Sequence, residues 1–335
     1  MRHIEYQHAG DPLNLSMGLV TLIDGIIGIL CNTFIVWTFF KSSNKTSFNL
    51  ICLFRAVNSI VNLGMFIIDI VPLILWGFTP LSLKLEDTYM VLNMSLYHAN
   101  RAICIVLATN RLVALYFPMK YNRLFGFKPT LAILIILEFV CVAEEMKYQI
   151  ENIFSGDYDT FGNNSITYNP DIMSFELPSS KNTEENFDSS ILEKLGIVTP
   201  IFFGMCILIN LLTFGKLCHY YLFQSQRNST SSKKIMKNAR RFLQTILQDS
   251  VFIIDMAFII YFGSLFDSRF WNFISMTFVG ENVFTVDGIV MVLFNEQNSF
   301  NSKIKCCFQG NFIKTNLNAS TKRAKNLCKN TTTTM

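Results

Sequence analysis

Residues 87–116 read DTYMVLNMSLYHANRAICIVLATNRLVALY. The run is long and apolar enough to cross a bilayer, which takes about 20 predominantly apolar residues. Yet Asn93, His98, Asn100 and Arg101 stand within it. Polar and charged side chains at that depth are costly against lipid and face a bundle interior or a hydrated cavity. This one stretch therefore predicts a membrane and, around this helix, other helices.

Working outward, six more apolar blocks stand at 17–40, 50–76, 129–148, 195–223, 241–265 and 270–295, each read as a span from its length and hydrophobicity. The fourth, 129–148, is the weakest, because Glu144, Glu145 and Lys147 crowd its far end. Composition agrees: the chain is 51% hydrophobic and 16% charged, whereas soluble domains are about 25% charged. The expected fold class is an all-α membrane protein, a seven-transmembrane helix bundle over 17–300, with a terminal segment 1–16 before it and a tail 301–335 after it. The first sixteen residues are polar and the apolar run after them is too long for a signal-peptide core, so it reads as a signal anchor.

The nine cysteines lie in or beside the apolar blocks or in the tail, and none falls in an expected outer loop. A disulfide framework is not expected, and no Cys/His spacing resembles a metal site. Neither a cofactor nor a nucleic-acid partner is expected.

Charge orients the chain. With the span-end residues Arg111, Arg241 and Lys147 counted in the segments they adjoin, the segments after spans 1, 3, 5 and 7 carry 19 Lys/Arg and the opposite segments six. By the positive-inside rule the amino terminus is outside and the tail cytoplasmic. The loop 149–194 holds nine Asp/Glu against two Lys, and its length marks it as functional or partly disordered. It carries the glycosylation sequon at Asn163; a second, at Asn14, abuts the first span. The sequons at Asn44, Asn228, Asn318 and Asn330 fall on the expected cytoplasmic side and read as chance tripeptides.

Motifs follow at the spans' ends. The third span closes on Asn110-Arg111-Leu112-Val113-Ala114-Leu115-Tyr116-Phe117-Pro118-Met119-Lys120-Tyr121. This resembles the Asp-Arg-Tyr segment of rhodopsin-like receptors, down to the proline seven positions after the arginine. Gly28 to Asn32 with Ile35 resembles the same family's first-span pattern, Asn58 falls near its second-span buried Asp, and Asp287-Gly288-Ile289-Val290-Met291 sits in the register of Asn/Asp-Pro-x-x-Tyr. Asn32, Asn58 and Asp287 are expected to meet as one polar cluster, since a lone buried Asp in a membrane is unfavourable; static interhelix hydrogen bonding is at least as good a reading as a switch.

A closer resemblance rests on Leu50 to Ser59, the Asn110-Arg111 segment, Arg241 to Asp255 with its Leu247-Gln248-Asp249-Ser250 run, and Asp287 to Glu296 with its Phe294-Asn295-Glu296 ending. These look like the nematode serpentine receptor class X chemoreceptors, and the resemblance covers about 17–300. It implies a plasma-membrane chemosensory receptor, in sensory cilia, acting through a heterotrimeric G protein, with Asn110, Arg111, Pro118 and Tyr121 as the coupling switch and an arrestin and a kinase acting on the tail. Departures from the rhodopsin-like pattern are plain. The outer end of the third span has no Cys, the sixth span lacks Cys-Trp-x-Pro, and Asn110 replaces the acid that would pair with Arg111. Weak resting restraint and measurable basal signalling are expected from that last change.

A small-molecule ligand is expected in the bundle's outer half, with Asp69, Asn93, Tyr97, His98 and Asp255 as candidate contacts. For His98 a structural role is the commoner expectation. Residues 224–241 carry six Lys/Arg and no acid, which suits both G-protein docking and anionic lipid at about 1 kcal/mol per charge. Phe300 to Phe308 reads as a short amphipathic helix on the membrane, with Cys306 and Cys307 as palmitoylation candidates. The tail ends in Thr331 to Thr334, open to phosphorylation.

Three other classes compete. An amino-terminus-inside, seven-helix ligand-gated cation channel of the olfactory type is opposed by the charge count. A transporter would show paired, broken helices in two repeats, and none is evident. An intramembrane enzyme needs a positioned pair of reactive groups, for which Asp255 and Asp287 lack the motif context. A peptide receptor of the same fold, with the acidic loop trapping a basic peptide, also fits the sequence.

Overall fold

The computed structural model describes residues 2–3, 11–43, 45–79, 81, 83–154, 167–169, 174–176, 187–224, 229–266 and 268–294. All belong to one compact unit, Met1–Phe294; the other unit, Asn295–Met335, lies outside the described residues. Cys306, Cys307, the expected amphipathic helix and the sequon at Asn163 therefore lie outside them as well.

Helix α1, Pro12–Lys41, starts where its sequence says a helix should. Asp11 accepts a hydrogen bond from the Leu13 amide at 3.2 Å, and Pro12 occupies the first turn, where its missing N–H costs nothing. Helix α2, Ser47–Met65, is capped by Thr46, whose hydroxyl accepts from the Asn49 amide. It continues through a π-helical turn, Phe66–Ile70, into α3, Val71–Trp76. Pro72 follows that widened turn; a proline lacks the N–H that the regular ladder needs. Gly77 then ends the span in the left-handed conformation, φ 68°, as a C-terminal glycine does.

Helix α4, Leu83–Tyr116, stops one residue short of Pro118, whose ring disfavours helical backbone in the residue before it. Then follow α5, Pro118–Phe125, and α6, Phe127–Phe154. Beyond them come α7, Phe187–Gln224, and α8, Ser229–Ala257, which runs on through a π turn, Phe258–Phe262, and a short 3₁₀ turn. The last span starts as α9, Arg269–Asn272, widens over Phe273–Phe278 and continues as α10, Val279–Phe294.

Six of these helices are long and apolar enough to cross a membrane, and a seventh if α5 and α6, bent by 50° about Gly126, count together. The fourth crossing is marginal for a reason visible in its residues: Lys128, Glu138, Glu144, Glu145 and Lys147 dilute its apolar stretch. Large apolar side chains such as Phe139, 72% exposed, and Leu30, 66% exposed, point outward, as lipid-facing residues do. The seven-helix, all-α architecture stands.

Packing closes the bundle. Helix α1 lies between α2 and α10, and α4 runs through the middle, touching α2, α6, α7 and α8. The contact between α1 and α10 is close because of glycine: a Cβ at Gly28 would collide with Thr285 Oγ1 and Leu63 and stand 3.1 Å from the Thr285 backbone. One end of the bundle carries a two-stranded β-hairpin from the long acidic loop, Thr167–Asn169 paired with Ser174–Glu176. Its Tyr168 is buried in a cluster with Met17, Phe66, Leu73, Phe273 and Phe284. The three π turns, at 66–70, 258–262 and 273–278, all belong to this same end.

Gly28→Val should force α1 and α10 apart, at an overpacking cost of about 1–3 kcal/mol, and lower the thermal unfolding midpoint of the purified protein. Gly64→Ala, where an added Cβ meets nothing within 4 Å, should leave that midpoint unchanged or raise it.

Candidate functional site

Three polar centres are strung along the bundle axis. The middle one is an ion pair. Arg55 on α2 and Asp287 on α10 are 0% and 1% exposed and form a two-pronged contact, Nη2 to Oδ1 at 2.6 Å and Nε to Oδ2 at 3.2 Å. Gln248 on α8 donates to Asp287 Oδ1 at 2.7 Å. The remaining arm of Arg55 points to Cys104 Sγ on α4 at 3.5 Å, and its guanidinium carbon lies 5.4 Å from the Phe252 ring centre. The planar fork of an arginine suits a carboxylate in this way. One side chain thus ties four spans. Beside it, Asn210 on α7 donates to Asp249 on α8 at 2.8 Å, bringing in a fifth.

The expected cluster of Asn32, Asn58 and Asp287 is corrected here. Asp287 takes Arg55 and Gln248 instead. Asn32 donates to the Gly28 and Phe284 carbonyls, joining α1 to α10, while Asn58 donates to Asn100 Oδ1 at 3.2 Å and Glu138 Oε1 at 2.7 Å, joining α2 to α4 and α6. The physical reason is strength: a buried carboxylate satisfied by a guanidinium gains more than one satisfied by neutral amides. Neither Arg55 nor Gln248 is singled out by the sequence pattern, although an arginine in the middle of an apolar span calls for a polar partner.

At the hairpin end, Tyr97 on α4 donates to Asp255 Oδ2 on α8 at 2.5 Å. Its ring packs against Phe252 and Phe284, and the Arg101 guanidinium lies 5.6 Å from its centre. Two candidate ligand contacts are therefore joined. Asp69 and Asn93 are also buried, Asp69 on the π turn of 66–70. His98 is not part of this group: its Nε2 faces Glu145 Oε1 on α6 at 3.4 Å, at a half-exposed flank. A residue adjacent to Tyr97 points about 100° around the helix from it, which is why His98 departs. Asn14 is corrected as a glycosylation site, because it is 2% exposed within α1 and accepts from Arg269 Nη2 at 2.6 Å. Arg269 also pairs with Asp11, so it staples the starts of the first and last spans.

At the opposite end, Asn110, Ser47 and Tyr121 converge. The Ser47 and Tyr121 hydroxyls are 2.7 Å apart, and Asn110 Nδ2 reaches both, at 3.4 and 3.3 Å. Pro118 opens the short helix that delivers Tyr121. Arg111 is 7% exposed, yet its Nε and Nη2 have no hydrogen-bond partner, and no carboxylate among the described residues pairs with it. It rests on Phe48, 4.7 Å from the ring centre, and Arg241 approaches the same ring at 5.1 Å. Of the four expected switch residues, Asn110 and Tyr121 are in contact and Arg111 is beside them.

A seven-helix bundle with a buried ion pair at its middle and a polar centre at each end has the build of a serpentine membrane receptor. Residues 23–295 match the family described as serpentine type 7TM GPCR chemoreceptor Srx, and the chain belongs to that family. Among curated proteins it is similar to serpentine receptor class X 45 of Caenorhabditis elegans, at 21% identity over 322 residues, which cover 89% of this chain and 82% of the relative. The chain is accordingly a multi-pass membrane protein of a seven-transmembrane chemoreceptor family.

Breaking the Arg55–Asp287 pair on one side should be severe. Arg55→Met or Asp287→Leu alone leaves a buried charge uncompensated, at a cost of about 3–5 kcal/mol, read as loss of folded, surface-delivered protein. The double variant removes both charges and should recover more than half of that loss.

Proposed function

We propose that this protein is a G-protein-coupled chemosensory receptor of the plasma membrane, placed in sensory cilia, with its amino terminus outside. It takes a small external molecule at the hairpin end of the bundle and activates a heterotrimeric G protein at the Arg111 end. The observation that carries the reading is Arg111 itself: a buried cation at the end of a central span, held by an aromatic ring rather than a carboxylate. A guanidinium with unmet donors can exchange the Phe48 ring for acceptors on a partner, and nothing comparable to an ion pair has to break first.

The Asn110, Ser47 and Tyr121 contacts support the same reading, since they tie α4 to α2 and to α5 at the face where a partner would dock. The charge count supports a cytoplasmic position for that face, where a basic segment after α7 would also meet anionic lipid. Ligand entry at the other end is supported by the Tyr97–Asp255 contact and by the three π turns around it, a backbone feature frequent at functional sites. Receptor kinases and arrestin would act on the threonine-rich tail.

In cells carrying a G-protein reporter, the wild type should give a ligand-free signal above mock-transfected cells at matched surface expression, because no ion pair holds Arg111. Arg111→Ala should remove that signal at least tenfold while surface expression stays within twofold. Full signalling by Arg111→Ala would place the switch elsewhere.

A further inference from the structure

We propose that the facing surfaces of α1 and α10 form a binding site for a small monovalent cation, an inorganic ion such as sodium or the ammonium group of an amine. The central observation is Glu281. It is 0% exposed; its carboxylate oxygens lack a well-formed hydrogen bond, and the Thr21 hydroxyl on α1 is a donor that approaches them. Asp24 Oδ2 on α1 is likewise buried and without a donor, and the buried Thr21 hydroxyl beside it makes no well-formed hydrogen bond. Asp24 is anchored from its other side, with Asn282 Nδ2 donating to Oδ1 at 3.2 Å and Thr285 Oγ1 to its carbonyl at 3.2 Å.

Spacing brings these atoms together. Thr21, Asp24, Gly25 and Gly28 repeat at the three- and four-residue intervals of one helix face, and Glu281 and Thr285 do the same on α10. Glycine sets the approach: a Cβ at Gly25 would stand 2.9 Å from Glu281 Oε1, so the carboxyl lies against the α1 backbone. Arg55 on α2 is already committed to Asp287, six residues further along α10.

Three buried carboxylate oxygens that share a single hydroxyl donor, Thr21, are unfavourable as they stand. A single proton on Glu281 would supply one further donor for the group. A sodium-sized ion offers contact to all three and to the Thr21 oxygen and compensates carboxylate charge; a primary ammonium offers charge and three N–H donors. A calcium ion is a poor fit, since it takes six to eight oxygens and no cluster of three acidic or other metal-ligating side chains exists among the described residues. The site stands on the α1–α10 contact alone; an ammonium occupant would add a ligand class to the receptor reading and would rest on it.

The test is thermal unfolding of the detergent-purified full-length protein in sodium, methylammonium and choline chloride at equal ionic strength. Choline is large and has no N–H to donate. The wild-type midpoint should rise by about 2 °C or more in sodium or methylammonium relative to choline, and Glu281→Gln should abolish the rise. Asp24→Asn should weaken it, and serves if the first variant does not fold. A rise in sodium alone assigns an inorganic ion, and one in methylammonium alone assigns a ligand ammonium. Equal midpoints in all three salts, or a rise that survives both substitutions, overturns the proposal. Unfolding does not read signalling, so the two readings fail separately.

Discussion

The contact on which the rest of this bundle depends is the fork between Arg55 and Asp287. Its two groups lie in the interior of a membrane protein, where neither has water to fall back on, and each exists at its depth because the other does. The pair also has geometry that apolar packing lacks. A guanidinium that meets a carboxylate through two donors, a thiol through a third and an aromatic face through its plane fixes α2, α10, α4 and α8 in register with one another. Leucines and phenylalanines fill the remaining space but permit many neighbouring registers; the ion pair permits one.

The two ends differ because their constraints differ. Around Arg111 the spans are regular helices up to their ends, and the polar contacts are few and neutral apart from the two arginines on Phe48. Around Tyr97 and Asp255 the backbone of three spans is widened by π turns and a hairpin side chain is wedged into the core. A rigid middle between a lightly restrained end and an irregular end is a sound arrangement for passing a change along the axis. A small displacement of α8 or α10 at one end is not easily absorbed locally when Gln248 holds α8 to Asp287 and Asp287 holds α10 to Arg55.

Much of this was legible in the chain. Apolar length and the polar residues of 87–116 give the bundle, and the Asn110-Arg111 segment together with the Leu247–Ser250 run and the Phe294–Glu296 ending gives the family resemblance. What sequence could not give was pairing. Asn32, Asn58 and Asp287 each need partners, and periodicity does not say which helix faces which; the strongest available partner, Arg55, took Asp287 and left the amides to carbonyls and to Glu138. His98 beside Tyr97 is the same problem at closer range, since adjacent residues on a helix diverge. The hairpin bearing Tyr168 has no legible signal beyond the length of its loop, and the meaning of Glu281, one acid inside the apolar run 270–295, depends on its neighbours on α1, which periodicity does not reveal.

Every functional statement rests on which end faces the cytoplasm, and glycosylation mapping tests that most directly. The expressed protein should show an endoglycosidase-sensitive shift that Asn163→Gln removes and Asn228→Gln leaves intact. That result puts the acidic loop outside and Arg111 within reach of a G protein. A shift removed by Asn228→Gln instead would invert the chain, put Arg111 on the outer face and contradict the account, leaving an amino-terminus-inside channel as the reading to pursue.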